Sequence, residues 1–391
     1  MTQMTCGEAT IRLLEKYGVT TVFGIPGVHT LDFCRGLGRG VRHVQVRNEQ
    51  GAGFMAEGWA RATGEPGIAL VISGPGVTNA STPLGQAYAD SLPVLLISAE
   101  AASYTIGKGW GVLHEVTEQK KVTEPLTAFS ATAHRPADIP ELFARAFTLF
   151  RSERPRPVHI SIPIDVQAEI IDVDWEPVSL PALPRPGCGQ VFEAANLLKT
   201  AQTPLIMVGG GAASAGNELT AIAEQIGALV IASTAGKGVV ADDHPLSLSA
   251  STVRPEVLGM LPKADVILAV GTELSETDSF VERMDIDGKL IRVDIDATKI
   301  NDFYPAMLGI IADAKSAMAE LRDALDGYTS NGREEAERRV RDVRAAITAG
   351  LNVSEKQHVA VLQALSEVAP DDLVWAGDAC QLVYTGAFAM P

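Results

Sequence analysis

Cysteine is scarce in this sequence, and the few cysteines are far apart. There are four, Cys6, Cys34, Cys188 and Cys380, with no C-x-x-C pair and no histidine at the spacing of a zinc ligand. Neither a structural zinc site nor a disulfide framework is therefore indicated. Scattered free thiols are typical of a reducing compartment, so we predict a cytoplasmic protein.

Positive charge and long apolar runs are also lacking. The 32 Lys and Arg are outnumbered by 48 Asp and Glu, which gives a net charge of −16, and such a charge repels nucleic acid and anionic membrane surfaces. No run of about 18 apolar residues is available to span a bilayer. The first ten residues lack the basic and apolar regions of a signal peptide. We expect no nucleic-acid and no membrane partner.

The residues that are abundant are those of an α/β protein. Hydrophobic residues make up 46% of the chain, charged residues 20%, and there are 36 glycines. At roughly 150 residues per domain, 391 residues suggest two to three domains. A proline-containing linker is predicted at 176–189. It separates a first domain at 1–175 from a second at 190–330, followed by a charged helix or second linker at 331–354 and the start of a third unit at 355–391.

Apolar strands alternate with helices in both main domains, which predicts parallel sheets covered by helices on both faces. The predicted strands of the first domain are Thr21–Ile25, Arg42–Val46, Gly67–Ile72, Leu92–Ala99 and Val158–Pro163. Those of the second are Pro204–Val208, Leu229–Ala232, Val266–Val270 and Leu290–Asp294. We predict one further strand at Leu373–Ala376, and a loop at Ala101–Thr123, where no periodicity is present.

Three loops of the first domain follow predicted strands: Pro26-Gly27, the segment around Glu49, and Ser73–Gly76. Ligands of parallel sheets bind outside the carboxyl ends of the strands, so we predict that these loops meet in one crevice. Glu49 precedes a predicted helix at Gln50–Thr63, whose first N–H groups are unpaired. Its carboxylate either complements the helix dipole or takes part in a reaction. The predicted meeting of the three loops in one crevice favours a role in the reaction.

A triple glycine, Gly209 to Gly211, follows a strand of the second domain and is a candidate for approaching a phosphate. Ser214 breaks the G-x-G-x-x-G pattern of dinucleotide sites, and no acidic partner is evident. A tight turn is therefore the favoured interpretation.

Four motifs occur in order along the first domain: G-I-P-G at 24–27, R-N-E-Q-G-A-G-F-M-A-E-G-W-A-R-A-T-G at 47–64, S-G-P-G-V-T-N at 73–79 and A-Y-A-D-S-L-P-V-L at 87–95. They resemble the pyrimidine-binding domain of thiamine-diphosphate-dependent enzymes, in the branch of acetolactate synthase, glyoxylate carboligase and related 2-oxo acid decarboxylases. V-G-G-G-A-A-S at 208–214 and V-D-I-D at 293–296 resemble the central domain of the same enzymes.

The resemblance implies a three-domain α/β architecture with the thiamine-diphosphate-binding fold, thiamine diphosphate and Mg²⁺ as cofactors, and a homodimer or homotetramer with active sites between subunits. The family's G-D-G motif, which holds the diphosphate through the metal ion, is expected beyond Pro391. No metal ligand is therefore predicted within this chain, whose third domain is expected to be truncated. An alternative of another class is an inactive cofactor-binding fragment.

The resemblance also implies roles for individual residues. Glu49 would hydrogen-bond a ring nitrogen of the aminopyrimidine and promote the imino tautomer that takes the proton from the thiazolium carbon. That role requires a carboxyl group in a dry site, with which the neighbouring Phe54 and Met55 are compatible. The predicted cofactor-binding residues are Pro26, Gly27, Glu49, Ser73, Gly74, Pro75, Asn79 and Gln381.

Two stretches bear on which family member the chain resembles. Acetolactate synthases contact FAD through a basic segment, whereas G-T-E-L-S-E-T at 271–277 has no basic residue, so we expect no bound FAD. They also carry Phe-Gln-Glu where this chain has Leu113-His114-Glu115. Together with G-I-P-G-V-H-T at 24–30 and R-P-R-P-V-H-I at 154–160, the pattern resembles 5-guanidino-2-oxopentanoate (2-ketoarginine) decarboxylases most.

The leading hypothesis is therefore non-oxidative decarboxylation of a 2-oxo acid through an enamine, with a 2-ketoarginine-type substrate favoured. Carboligation of pyruvate by an acetolactate synthase large subunit is the alternative. His114 is a candidate for proton transfer. The alternative is that it is a histidine of a surface loop without a functional role. His29 is a candidate for substrate contact. A guanidinium group needs an acidic partner, for which Glu115 and Glu118 are both available.

Overall fold

The computed structural model describes residues 3–370 and 372–390. The chain forms two compact units, Met1–Ala182 and Leu183–Pro391. The division falls within the proline-containing segment 176–189. Among the described residues, no helix combines the length and apolar character needed to cross a membrane.

The first unit is built on a parallel six-stranded sheet. Its strands are β1 Met4–Thr5, β2 Thr21–Gly24, β3 Arg42–Gln45, β4 Gly67–Val71, β5 Val94–Glu100, β6 Phe129–Thr132, β7 Val158–Pro163 and β8 Ile170–Ile171. The order in the main sheet is β3-β2-β4-β5-β7-β6, while β1 and β8 form a separate antiparallel pair. Its helices are α1 Cys6–Lys16, α2 Leu31–Cys34, α3 Glu49–Thr63, α4 Pro75–Ala89, α5 Gln119–Thr123, α6 Asp138–Ser152 and α7 Ile164–Ala168.

Helices cover both faces of this sheet, which explains why its central strands are apolar throughout. Successive side chains of a strand point to opposite faces. In β4, Ile68 and Leu70 join the core beneath α1 and α6, whereas Ala69 and Val71 join the core beneath α3 and α4. Both faces are therefore buried, and a polar residue at either would lose its water.

The second unit contains a five-stranded parallel sheet of order β10-β9-β11-β12-β13. The strands are β9 Pro204–Val208, β10 Leu229–Ala232, β11 Val266–Val270, β12 Lys289–Asp294 and β13 Leu308–Ile311. The helices are α8 Cys188–Thr200, α9 Gly216–Ile226, α10 Pro255–Leu258, α11 Glu276–Ser279, α12 Ala314–Ala324, α13 Arg333–Gly350, α14 Val353–Val368 and α15 Gln381–Ala389. The predicted α/β class with parallel, helix-flanked sheets is thus confirmed.

Three local predictions need correction. Leu373–Ala376 is not a strand but irregular chain with exposed side chains, because no described strand lies beside it to complete a hydrogen-bonded ladder. The predicted loop at Ala101–Thr123 ends in a short helix, α5. The charged helix α13 is not solvated all round, since Ala336, Val340 and Ile347 are buried against the core of the second unit.

Candidate active site

The three loops predicted to converge follow neighbouring strands. Strands β3, β2 and β4 are adjacent and parallel in the sheet, so their carboxyl ends lie side by side. The Pro26-Gly27 turn follows β2, Glu49 follows β3 and Ser73–Gly76 follows β4. A Cβ on Gly27 would overlap the side chain of Ile72, so glycine is what allows the first turn to pack onto the end of β4.

Glu49 is the first residue of α3, one residue earlier than the sequence predicted. Asn48 caps the helix, because its Oδ1 accepts a hydrogen bond of 2.8 Å from the Gln50 N–H. Glu49 as a whole is half-buried, and its Oε2 accepts an exposed hydrogen bond of 2.9 Å from Asn79 Nδ2 on α4. The capping role thus falls to Asn48, and Glu49 is held against the neighbouring helix.

Phe54 and Met55 do not enclose Glu49. Their side chains are 40% and 46% exposed. At about 100° of rotation per helical residue, positions five and six residues along α3 lie well round the helix from Glu49. In the single chain these two side chains are therefore not placed to shield the Glu49 carboxylate from water, and a dry site around Glu49 stays a prediction.

The Ser73–Gly76 turn has a backbone that suits glycine. Gly74, the N-cap of α4, has φ of 57°, and Pro75 fills the first helical position. A Cβ on Gly74 would overlap the carbonyl oxygen of His114. The loop carrying His114 is therefore packed directly onto this turn, although the two are distant in sequence.

Both candidate histidines lie at the same turn. His29 is buried, and its Nδ1 is 2.7 Å from Ser73 Oγ. His114 is half-buried, and its ring meets the His29 ring edge to face at a centroid distance of 5.7 Å. Burial, followed by the neighbouring His114, lowers the pKa of His29. The structure therefore brings His29, Ser73, Gly74 and His114 together.

Gln119, the first residue of α5, was not identified from the sequence. It is buried, and its Oε1 accepts a hydrogen bond of 2.6 Å from the Gly74 N–H. A single glutamine in a stretch without periodicity gives no sequence signal that it is buried. His159, predicted to be structural, is also fully buried, and burial lowers its pKa to about 3.

Two family models match the chain. The N-terminal thiamine pyrophosphate (TPP) binding domain of thiamine pyrophosphate enzymes matches residues 4–122, and the central domain of the same enzymes matches residues 191–321. The chain belongs to the thiamine pyrophosphate enzyme family. The first match contains the Pro26-Gly27 turn, Glu49 and the Ser73–Gly76 turn.

Related members of the family differ in the activity that their names describe. A probable 2-ketoarginine decarboxylase of Pseudomonas aeruginosa is 47% identical over 99% of this chain and 69% of its own length. The acetolactate synthase large subunit of Corynebacterium glutamicum is 32% identical over 96% of this chain and 62% of its own length. A glyoxylate carboligase of Escherichia coli O157:H7 is 32% identical over 85% of this chain and 58% of its own length. The chain therefore spans less than two thirds of the last two relatives.

Of the two acidic residues considered for a cationic substrate, Glu115 and Glu118, only Glu118 has a charged partner among the described residues. Glu118 lies 2.6 Å from Lys121 Nζ. Glu115 Oε2 accepts a hydrogen bond of 2.7 Å from the Gly111 N–H, while its Oε1 is buried with no hydrogen-bond partner in the part of the chain that the structure describes. Glu115 thus differs from Glu118 in having a buried carboxylate oxygen without a partner among the described residues.

The remaining predicted positions lie in the second unit. Gln381 is the exposed first residue of α15, beside Arg254 and Tyr384 in a shallow hollow. In the triple-glycine segment, a Cβ on Gly209 would overlap the carbonyl oxygen of Gly271, which supports the tight-turn interpretation over a phosphate site. Across residues 3–370 and 372–390, no three His, Cys, Asp or Glu residues are grouped to hold a metal ion.

Proposed function

We propose that this chain provides the pyrimidine-binding and central domains of an enzyme that decarboxylates a 2-oxo acid non-oxidatively with thiamine diphosphate. The single observation that carries the proposal is the Glu49 carboxylate at the carboxyl end of β3, hydrogen-bonded to Asn79, inside the region that the family model matches. The names of the related enzymes support a 2-oxo acid as the substrate, and we propose Mg²⁺ as the metal ion that accompanies the cofactor.

The residues at this edge of the sheet fit an aminopyrimidine ring. The Glu49 carboxylate offers a hydrogen-bond acceptor whose position Asn79 fixes, as sharing a proton with a ring nitrogen requires. The turns at Pro26-Gly27 and Ser73-Gly74-Pro75 let backbone approach a flat ring without side-chain obstruction. When bound, thiamine diphosphate supplies the electron sink for loss of carbon dioxide.

In this proposal, His114 gives the proton that completes aldehyde formation, and His29 contacts the substrate from the same turn. The lowered pKa of His29 favours its neutral form near pH 7. A neutral His29 shares one hydrogen with Ser73 Oγ, whichever group donates it. His29 would therefore hold the turn, while the less buried His114 exchanges protons.

A 2-ketoarginine-type substrate is favoured by Glu115. A guanidinium group forms its strongest contacts with a carboxylate, and the Glu115 Oε1 atom is buried without a partner among the described residues. Glu118 is less suited because Lys121 already neutralises it. The identity of 47% to the probable 2-ketoarginine decarboxylase points the same way.

Carboligation of pyruvate, as in acetolactate synthases, is the second candidate because the chain is 32% identical to one of their large subunits. The test is to titrate the full-length protein with thiamine diphosphate and Mg²⁺ and then supply a panel of 2-oxo acids. We expect carbon dioxide and an aldehyde from 2-ketoarginine, and no bound flavin. Acetolactate from pyruvate together with yellow bound flavin would contradict the proposal and favour the second candidate.

The proposed active unit is a homodimer or homotetramer, with the partner subunit completing the site around Glu49. The hydrogen bond between Glu49 and Asn79 is exposed in the single chain, and a second copy that covers it would provide the dry environment that the chemistry requires. The exposed Phe54 and Met55, further round α3, are apolar side chains that such an interface would also cover.

A further inference from the structure

Gln119 has a buried side-chain amide. Its oxygen faces a backbone group that can only donate a hydrogen bond, and its nitrogen faces a backbone group that can only accept one. Its Oε1 lies 2.6 Å from the backbone nitrogen of Gly74, which can only donate. Its Nε2 lies 2.7 Å from the carbonyl oxygen of Ala99, which can only accept, and within 3.0 Å of Ser98 Oγ and Ser161 Oγ. The orientation of the amide is therefore fixed by its surroundings rather than chosen between two equivalent positions.

Gln119 is connected by hydrogen bonds to a buried network of neutral side chains that includes Ser98, His159 and Thr123. Ser98 Oγ accepts from Gln119 and lies 2.7 Å from His159 Nε2. On the other side of the ring, His159 Nδ1 lies 2.7 Å from Thr123 Oγ1 and 2.9 Å from Ser130 Oγ. Because a hydroxyl can donate or accept, both ring nitrogens of a neutral His159 find a partner in either tautomer, and complete burial favours the neutral form.

The acidic group nearest to this chain of hydrogen bonds is Glu100. Its Oε2 accepts from Ser161 Oγ at 3.1 Å, and burial raises its pKa. Gln119 thus joins β4, β5 and β7 through Gly74, Ala99 and Ser161, each at or near the carboxyl end of its strand. The amide ties the Ser73-Gly74 turn to the most buried part of the sheet.

On its other side, the Ser73-Gly74 turn holds both candidate histidines. Ser73 Oγ contacts His29 Nδ1 at 2.7 Å, and Gly74 packs against the backbone of His114. His114 has φ of 61°, a left-handed conformation that a histidine keeps only when its surroundings impose it. A displacement of the turn would therefore move both imidazoles.

We propose that Gln119 is a positioning residue: through its hydrogen bond to Gly74 it fixes the Ser73-Gly74 turn and so sets the placement of His29 and His114. Glutamate and leucine, which are similar in size to glutamine, cannot make both of these hydrogen bonds. Glutamate would set a carboxylate oxygen against the carbonyl of Ala99, and leucine would leave the N–H of Gly74 and the carbonyl of Ala99 without this partner. The activity readout of this inference rests on the proposed function, whereas the placement itself does not.

The placement is tested without cofactor or substrate, by NMR titration of the histidine side chains in the full-length protein. We expect Gln119→Leu to raise the titration midpoint of His29 toward the ordinary histidine value, because a released ring gains access to water. The matched control is Gln167→Leu, which removes a buried amide of the same unit that donates to the Ile162 carbonyl at 2.8 Å. Gln119→Met serves as a second variant if Gln119→Leu does not fold.

An unchanged His29 midpoint in a folded Gln119 variant, or an equal change in Gln167→Leu, would overturn the placement. In the activity assay we expect kcat to fall about a hundredfold in Gln119→Leu, as a displacement of about 1 Å can cause, and little change in Gln167→Leu. If no 2-oxo acid is turned over by the unaltered protein, the proposed function fails while the titration still decides the role of Gln119.

Discussion

At the residue scale, Gly74 is constrained both by its backbone conformation and by its neighbours. Its φ of 57° is costly for a side-chain-bearing residue, and a Cβ would overlap the carbonyl of His114. We predict that Gly74→Ala lowers the free energy of unfolding of the first unit by about 1–3 kcal/mol and strongly reduces carbon dioxide release.

The matched control for this substitution is Gly109→Ala. Gly109 also has a positive φ, of 65°, but a Cβ added there would meet open space, with no atom beyond its chain neighbours within 4 Å. Gly109→Ala therefore measures only the free-energy cost of placing an alanine at a positive φ, without a steric overlap. Thermal melting and activity of both variants separate the two effects, and equal losses in both would show that the contact with His114 is unimportant.

His159 makes stability depend on pH. Its pKa is about 3 in the folded protein, against an ordinary value of 6.5, so between these values the unfolded chain binds a proton that the folded chain does not. The free energy of unfolding therefore decreases as pH falls below about 6.5, by up to about 1.4 kcal/mol per pH unit.

We predict that His159→Gln flattens this pH dependence, because glutamine stays neutral in both states. The measurement is the urea midpoint at pH 7 and at pH 5 for the unaltered protein, for His159→Gln and for the exposed-site control His134→Gln. A steeper acid loss in His159→Gln than in the unaltered protein would contradict the burial of a neutral imidazole.

At the element scale, Phe388 is one of the residues that attach α15 to the rest of the second unit. The Phe388 ring is buried and meets Phe280 edge to face at 5.8 Å, and within α15 it stacks on Tyr384 at 6.0 Å. Lys237 Nζ also donates to the Met390 carbonyl at 2.8 Å. We predict that Phe388→Ala, at a cost of about 3 kcal/mol, releases α15 from this contact.

Hydrogen exchange measures this release directly. Amide hydrogens of α15 should exchange faster in Phe388→Ala, while those of β9 and β11 keep their protection. The control is Val374→Ala, at a side chain that is 84% exposed. Equal exchange of α15 in both variants would mean that Phe388 does not hold the helix.

Most of the strands that the sequence predicted correctly are buried along their whole length. Strands such as β4 and β11 are apolar at every position. The edge strand β3 is an exception, because it was predicted although none of its residues is fully buried. The edge strand β6, F-S-A-T, has one buried residue and was not predicted. Leu373–Ala376 shows the reverse error, because an apolar run forms a strand only where a neighbouring strand can pair with it.

In the candidate site, too, some features could be predicted from the sequence and others could not. Loops at strand ends were predictable, because the carboxyl ends of parallel strands lie at one edge and the turns carry glycine and proline. The contacts that organise them were not, since Gln119, Ser98 and His159 meet only through tertiary packing. Sequence alone also left Glu115 and Glu118 equivalent, and a neighbouring lysine distinguishes them only in the folded chain.

At the scale of the whole molecule, we propose that a second copy of the protein completes the site. Large apolar side chains on the loops that carry His29 and His114 are exposed, among them Val28, Leu31, Trp110 and Leu113. Burial of such side chains at an interface is favourable. We predict that specific activity of the full-length protein falls on dilution in parallel with dissociation measured by sedimentation.

We propose that the Glu49 carboxylate is required for the chemistry and not only for the helix. The most direct measurement is the rate of carbon dioxide release from 2-ketoarginine by full-length Glu49→Gln, compared with the unaltered protein and with Glu65→Gln, which removes the charge of an exposed glutamate near the other end of α3. We predict a loss of at least about a hundredfold in Glu49→Gln and an unchanged rate in Glu65→Gln. A Glu49→Gln protein that releases carbon dioxide at the unaltered rate would contradict the account.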